Sequence, residues 1–251
     1  MFYNRANLKK EALSDLNGKW KSAALVGLLF YIPCLVLMCL YFFAFFSSAF
    51  GILHMMLFVV LFYVSFSMLS LALFRWSNVL LKEGNADVKN FFRGITLKAI
   101  PSILWLLLRS FLWCLLLFVP IIPMAALVRL VEIPSVSVVA ALVMYSCFLL
   151  FIFLYLVVLA KVTSYAMMFF ALADKPDLHV RDSLNVAAMV TEGFRTNLFV
   201  TNLSFMGWAL LCLITLGIAC IWVLPYYSQV MTRAWLFMLK EKEDMLTGSA
   251  L

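Results

Sequence analysis

"NLSFMGWALLCLITLGIACIWVLPYY", residues 202–227, contains no charged side chain, and the uncharged run extends over residues 196–232. A continuous helix of about 37 residues would be roughly 55 Å long, against about 30 Å of hydrocarbon in a bilayer. One helix overshoots, whereas two tight spans fit. "TLG" at 215–217 is the natural turn, with Gly217 free to take a left-handed cap. The stretch predicts two spans, over residues 198–215 and 218–239.

The rest of the chain has the same character. Of its 251 residues, 66% are hydrophobic and 12% charged, with a mean hydropathy of +1.07. Soluble domains are about half apolar and about a quarter charged. A chain of this size cannot hide so much apolar surface inside itself, so its expected solvent is lipid. Cys34, Cys39, Cys114, Cys147, Cys212 and Cys220 all lie in apolar stretches with no CxxC pair, and read as small buried hydrophobes. The polar start over residues 1–22 is too long for a cleavable signal, and the apolar run after it is long enough to span.

Further spans are expected at 23–46 and 52–74, joined by a short turn around Ser47, Ser48 and Gly51. A third is expected at 98–119, ending at "PIIP", and a fourth at 136–160 that stays apolar to 173 and must kink or project. The charges test this count. Arg5, Lys9, Lys10, Lys19 and Lys21 precede the first span; Arg75, Lys82, Lys89, Arg93 and Lys98 lie between the second and third. Lys161, Lys175, Arg181 and Arg195 fall between the fourth and fifth, and Lys240 and Lys242 follow the sixth, leaving Arg129 on the other side. By the positive-inside rule both termini are cytoplasmic. The expected fold is all-α: a six-span membrane domain over 23–240, a cytoplasmic interfacial helix over 1–22, and a short tail over 241–251. The net charge of +7 is spread over several short segments that suit anionic headgroups, and no nucleic-acid motif is present.

Each span pair is preceded by a polar segment ending in glycine: "LNGKWKSA" at Gly18, "FFRGITLKA" at Gly94 and "TEGFRTNLF" at Gly193. Leu8, Ala12 and Leu16, or Val186, Met189 and Val190, fall at helical spacing, which predicts amphipathic helices on the cytoplasmic interface. Three copies of one helix-plus-hairpin unit would account for the fold.

"YAMMFFALADKPDL" (165–178), "DSLNVAAMVTEGFRTNLF" (182–199), "LSFMGWALLCLITLGI" (203–218) and "WVLPYY" (222–227), with "LKKEALSDLNGKW" (8–20) at the front, resemble the bacterial membrane-protein family known as domain of unknown function 975. The resemblance implies a six-span integral membrane protein. It brings no catalytic residues and no assigned activity.

Several polar side chains sit within the expected spans. Asn197, Thr201, Ser204, Trp208 and Thr215 fall near one face of the fifth, and Trp222, Tyr226, Gln229 and Arg233 near one face of the sixth. The two stripes can face each other, either as hydrogen-bonded glue worth about 0.6–2 kcal/mol per bond or as the wall of a polar cavity. Pro225 would free a backbone carbonyl nearby. Arg109 falls near the bilayer midplane, where an arginine costs about 2.5–3.5 kcal/mol on insertion scales. No span holds an acid to neutralise it, and Glu132 is the nearest candidate. Trp105 and Trp113, one turn away on either side, could sandwich the guanidinium. An unpaired guanidinium there is also what an anion or a lipid phosphate would seek. Arg233, close to Lys240, is expected to snorkel.

Metal and catalytic chemistry have little support. His54 stands alone, and His179 lies among Asp174, Asp177 and Asp182, where Asp177 reads as a helix cap. HExxH, Walker, GxSxG and paired-acid motifs are missing. Neither a metal nor a cofactor is expected, and enzyme is disfavoured. The leading reading is a non-enzymatic accessory or scaffolding protein of a bacterial cytoplasmic membrane, acting through lipids or a membrane partner complex. The alternative is a small transport or lipid- and anion-handling protein with a buried site at Arg109, Trp105 and Trp113.

Overall fold

The computed structural model describes residues 3–46, 52–127, 137–175 and 178–248, and among them every regular element is helical. The chain runs α1 (Arg5–Leu16), α2 (Trp20–Phe46), α3 (Ile52–Glu83), α4 (Val88–Gly94), a 3-10 turn at Leu97–Ala99, α5 (Ile100–Leu115) and α6 (Phe118–Leu127). It continues with α7 (Ser137–Ala166), α8 (Met168–Asp174), α9 (Val180–Val190), α10 (Arg195–Leu203), α11 (Met206–Ile214) and α12 (Cys220–Gly248). The order repeats one pattern three times: a short helix (α1, α4, α9) and then two long arms. The expected turn at Ser47, Ser48 and Gly51, and the residues Arg129, Glu132 and Asp177, lie outside the described residues.

Five stretches are long and apolar enough to cross a membrane: Trp20–Phe43, Met56–Glu83, Leu97–Leu127, Val138–Asp174 and Arg195–Ile214. This fits a multi-pass membrane protein. The expected sixth span is helical from Cys220, but Gln229 and Arg233 dilute its apolar character and it does not reach the same hydropathy. The third stretch does not end at "PIIP". It breaks at Leu116–Leu117 and resumes as α6, where Pro120 in the first turn lacks only an N–H that has no partner there anyway, and Pro123 lies inside the helix. The long fourth stretch breaks at Met167 into α7 and α8.

Burial divides the molecule in two. Around α1, the second half of α3, α4, α8, α9 and the middle of α12 the side chains close into a core, with Trp76, Phe91, Leu71, Ile103, Met168 and Met231 buried. Beyond it the arms stand apart. Only 6% of the most apolar window is buried in Leu97–Leu127, and the same share in Val138–Asp174. Side chains such as Phe43, Leu57, Ile122 and Phe153 are exposed there. The six cysteines also sit at exposed or half-buried positions and are all unbridged, so their expected burial does not hold.

Cross-links secure the closed end. The Arg75 guanidinium on α3 donates to the Gly94 carbonyl (3.2 Å) and the Leu172 carbonyl (3.3 Å), tying α3 to the ends of α4 and α8. Lys82 pairs with Asp174 at 2.6 Å. The Ala86 carbonyl accepts from Trp76 Nε1 and Ser22 Oγ, joining α2 and α3 to the loop between α3 and α4. The Ser77 and Ser228 hydroxyls meet at 2.6 Å between α3 and α12.

The hairpin tip at 215–217 forms as expected, with a twist in its chemistry. Leu216 (φ 50°) takes the left-handed position and Gly217 (φ 88°) follows it. The Gly217 N–H reaches back to the Cys212 carbonyl (2.6 Å) and the Leu216 N–H to the Leu213 carbonyl (3.2 Å), the paired bonds of a Schellman cap. Thr215 Oγ1 accepts from the Ala219 N–H at 3.1 Å and starts the next helix. Tyr31 on α2 donates to the Leu216 carbonyl at 2.9 Å.

Where α2 crosses α12, Gly27 meets the Ile221 carbonyl, and a β-carbon at Gly27 would fall far inside van der Waals contact of that oxygen. Pro225 has no N–H to offer Ile221 from one turn later, so this carbonyl is the one its helix leaves free. Gly207, on the exposed side of α11, has nothing within 4 Å. Gly27→Ala is therefore expected to cost about 1–3 kcal/mol through overpacking. Gly207→Ala is expected to be neutral or to stabilise by up to about 1 kcal/mol. Thermal unfolding of the two variants in mild detergent reads the difference.

Candidate functional site

Two groups of polar side chains stand out among the apolar helices. The first is the pair of stripes on the two arms of the last hairpin, which touch each other at Trp208 and Tyr226. Thr201, Ser204, Gln229 and Arg233 turn instead to α1 and the residues just before it. Arg233 donates to Asp15 through Nε (2.6 Å) and Nη2 (2.7 Å), a bidentate grip, and through Nη1 to Glu11. Gln229 Nε2 donates to Asp15 Oδ2 at 2.9 Å. On the α10 side, Tyr3 shares a 3.0 Å hydrogen bond with Thr201, whose hydroxyl also donates to the Asn197 carbonyl. The Lys9 ammonium donates to the Ser204 carbonyl (3.3 Å) and lies 4.6 Å above the Phe205 ring. The guanidinium of Arg233, expected to snorkel, closes on α1.

The hairpin arms also meet each other directly. Tyr227 donates to Asn202 Oδ1 at 2.8 Å, and Tyr226 packs against Phe205 and edge-on against Trp208. Leu8, Ala12 and Leu16 are buried beneath the clasp, as their spacing predicts. On α9 the buried face is Leu184, Ala187 and Val190, with Met189 turned outward, so the expected Val186–Met189–Val190 face is rotated.

Burial alone would push the Asp15 carboxyl up. The hydrogen bonds from Arg233 and Gln229 and the nearby positive charges outweigh it, holding the group below the usual carboxylate range.

The second group surrounds Arg109. It is not a sealed, tryptophan-sandwiched guanidinium. Arg109 is exposed on α5 and lines a cleft of about 320 Å³ with Trp105, Tyr165, Arg181, Leu184, Asn185 and Ala188. The tryptophans serve other cations: Arg181 lies 5.5 Å above the Trp105 ring and Lys161 lies 5.4 Å above Trp113. Trp113 Nε1 donates to the buried Tyr165 hydroxyl at 3.1 Å, fixing the wall between α5 and α7. Among the described residues no carboxylate lines this cleft. Two guanidiniums thus converge with an amide and an indole face, a set that binds anions rather than cations. Arg181, Lys161, Tyr165 and Asn185 escaped the sequence reading because they come from helices far along the chain. For Arg181 and Lys161 the only signal was charge, which topology had already explained, and Tyr165 and Asn185 gave none.

His179 caps α9 by position alone, with no side-chain bond to the helix, and no trio of His, Cys, Asp or Glu side chains among the described residues is placed to hold a metal.

The family described as "Protein of unknown function (DUF975)" matches residues 1–241. No curated protein and no solved structure matches the chain.

The clasp between α1 and α12 is open to a direct test. Arg233→Ala should lower stability by about 1.5–3 kcal/mol, the range for a hydrogen bond to a charged group. The exchange Asp15→Arg with Arg233→Asp should recover part of that loss, which neither single change can do. Because the folded carboxyl of Asp15 holds its proton more weakly than the unfolded one, the clasp is fully present above about pH 4 and is lost as pH falls through the lower folded value. In thermal unfolding against pH, the gap between wild type and Asp15→Asn should therefore close in acid.

Proposed function

This chain belongs to the DUF975 family, and we propose that it is a six-span protein of the bacterial cytoplasmic membrane that works without chemistry of its own, as an accessory protein held to anionic lipid headgroups at the Arg109–Arg181 cleft. Both termini are cytoplasmic in this reading. α12 supplies the sixth span, and α1, α4 and α9 lie along the cytoplasmic interface.

The cleft carries the proposal. Two arginines facing a pocket that no described carboxylate lines are costly beside hydrocarbon unless an anion completes them. A lipid phosphate is the anion always at hand, and a guanidinium pair matches its oxygens with parallel donors. The exposed arms support the same view, because their apolar side chains need lipid or a membrane partner around them. Scaffolding for a partner complex would use this outer surface. Transport of an anion is the second reading, favoured by the opening of the cleft. Against it, the side chains exposed on the neighbouring arms, such as Leu108, Leu112 and Phe153, offer an anion no onward polar path.

Native mass spectrometry from mild detergent tests the lipid reading. Wild type is expected to retain an anionic phospholipid. Arg109→Ala and Arg181→Ala should each weaken retention about five-fold, the equivalent of roughly 1 kcal/mol per basic residue at a membrane surface. Circular dichroism and elution volume would confirm equal folding. Equal retention by wild type and the double variant would remove the cleft from the function, and a small anion in place of a lipid would favour transport.

A further inference from the structure

The core is not one cluster but two, and they meet at an incompletely filled seam. One cluster gathers Phe74, Met168, Phe170 and Met231; the other gathers Phe30, Leu73, Trp76 and Val230. Between them lies a crevice of about 320 Å³ bounded by α2, α3, the α7–α8 bend, α10 and α12. It sits across α7 from the basic cleft: Tyr165 lines the cleft, whereas Thr163 and Ala166 line the crevice.

We propose that this crevice is a binding site for one acyl chain of a membrane phospholipid. Three observations point to that occupant. First, the space is built into the fold. α7 stops at Ala166 before the chain resumes as α8, and the Tyr227–Asn202 bond at 2.8 Å holds α12 and α10 at a set distance along one edge. Second, the walls are mostly apolar. Phenylalanine, methionine and leucine dominate, and Ser70 and Thr163 donate to carbonyls of their own helices, Phe66 at 2.8 Å and Leu159 at 2.9 Å. Water needs two to four polar partners to settle in a cavity, and here the two hydroxyls donate within their own helices while Asn202 Oδ1 accepts from Tyr227. Third, the mouth opens at Phe66 and Ala166, both exposed, on the arms α3 and α7 that present apolar surface to their surroundings. The hydrocarbon that solvates those arms is continuous with the opening. A volume of this size falls at the lower end of ordinary ligand pockets, room for part of a chain but not for a folded headgroup.

The inference is independent of the headgroup reading, since the two sites share no lining residue. A phospholipid carrying a photoactivatable diazirine in one acyl chain, placed in phosphatidylethanolamine vesicles with the full-length protein, reads it directly. After illumination, adducts are expected on the peptides that carry Phe66, Met167 and Met231. Ala166→Trp, which plugs the mouth from an exposed position, should abolish them while the melting temperature holds. Arg109→Ala should leave them in place, even where it loses the headgroup. In wild type, excess unlabelled phospholipid should compete the adducts away. Adducts confined to the outer arms, or unchanged in the plugged variant, would overturn the proposal. So would displacement by a free isoprenoid alcohol but not by phospholipid. If Ala166→Trp does not fold, the location and competition of the wild-type adducts decide by themselves.

Discussion

A guanidinium set in a mostly apolar helix has to be neutralised, and Arg233 meets its counter-charges on a helix 218 residues away along the chain. That pairing is only partly exposed, with Arg233 at 24% and Asp15 at 19% side-chain exposure, so its field is less screened than a surface pair would be. It fixes α1 against α12, and much else follows. With α1 in place, Gln229 gains an acceptor, Thr201 gains Tyr3, and the apolar side chains Leu8, Ala12 and Leu16 gain a surface to bury against. α12 then presents its other sides to α2 through Gly27 and to α3 through Ser77.

What the sequence disclosed follows from the range of each signal. Long apolar runs announce themselves locally, so the helical arms, the excess length of the fourth stretch and the tip at 215–217 were legible. So was the buried face of α1, because three apolar residues at helical spacing need no knowledge of partners. Side-chain pairing was not legible. The stripes on α10 and α12 looked like mates because hairpin arms usually pack together. Here only Trp208 and Tyr226 meet across the stripes; Ser204, Gln229 and Arg233 turn to α1 and Thr201 to Tyr3 before it, and a polar helix read as a surface element gave no hint of this. Arg109 stood out in the sequence because no expected span holds an acid, but its surroundings come from α9 and the end of α7. The rotation of α9 by one position, with Met189 outward, has the same origin: several apolar residues compete for one face, and only packing chooses.

The two halves of the molecule divide the work of stability between them. In the closed half, ion pairs, carbonyl-capping arginine and indole contacts, and a packed core hold short helices whose isolated stability would be marginal. In the open half, each arm satisfies its own backbone internally and presents side chains that water would not tolerate. Between the halves lie the cleft beside Trp105 and the crevice above Met167, both at the point where α7 bends. A lipid held by head in one place and by chain in the other would experience the bend as a common wall.

The joining of α1 to α12 also has a consequence for synthesis. α1 cannot close its clasp until residue 233 has left the ribosome, so Glu11 and Asp15 wait for Arg233 through the synthesis of everything between them. Contacts of such long range are slow to form and reward the chain only at the end. Any product that stops before α12 therefore carries an undocked α1, which distinguishes an unfinished chain from a finished one.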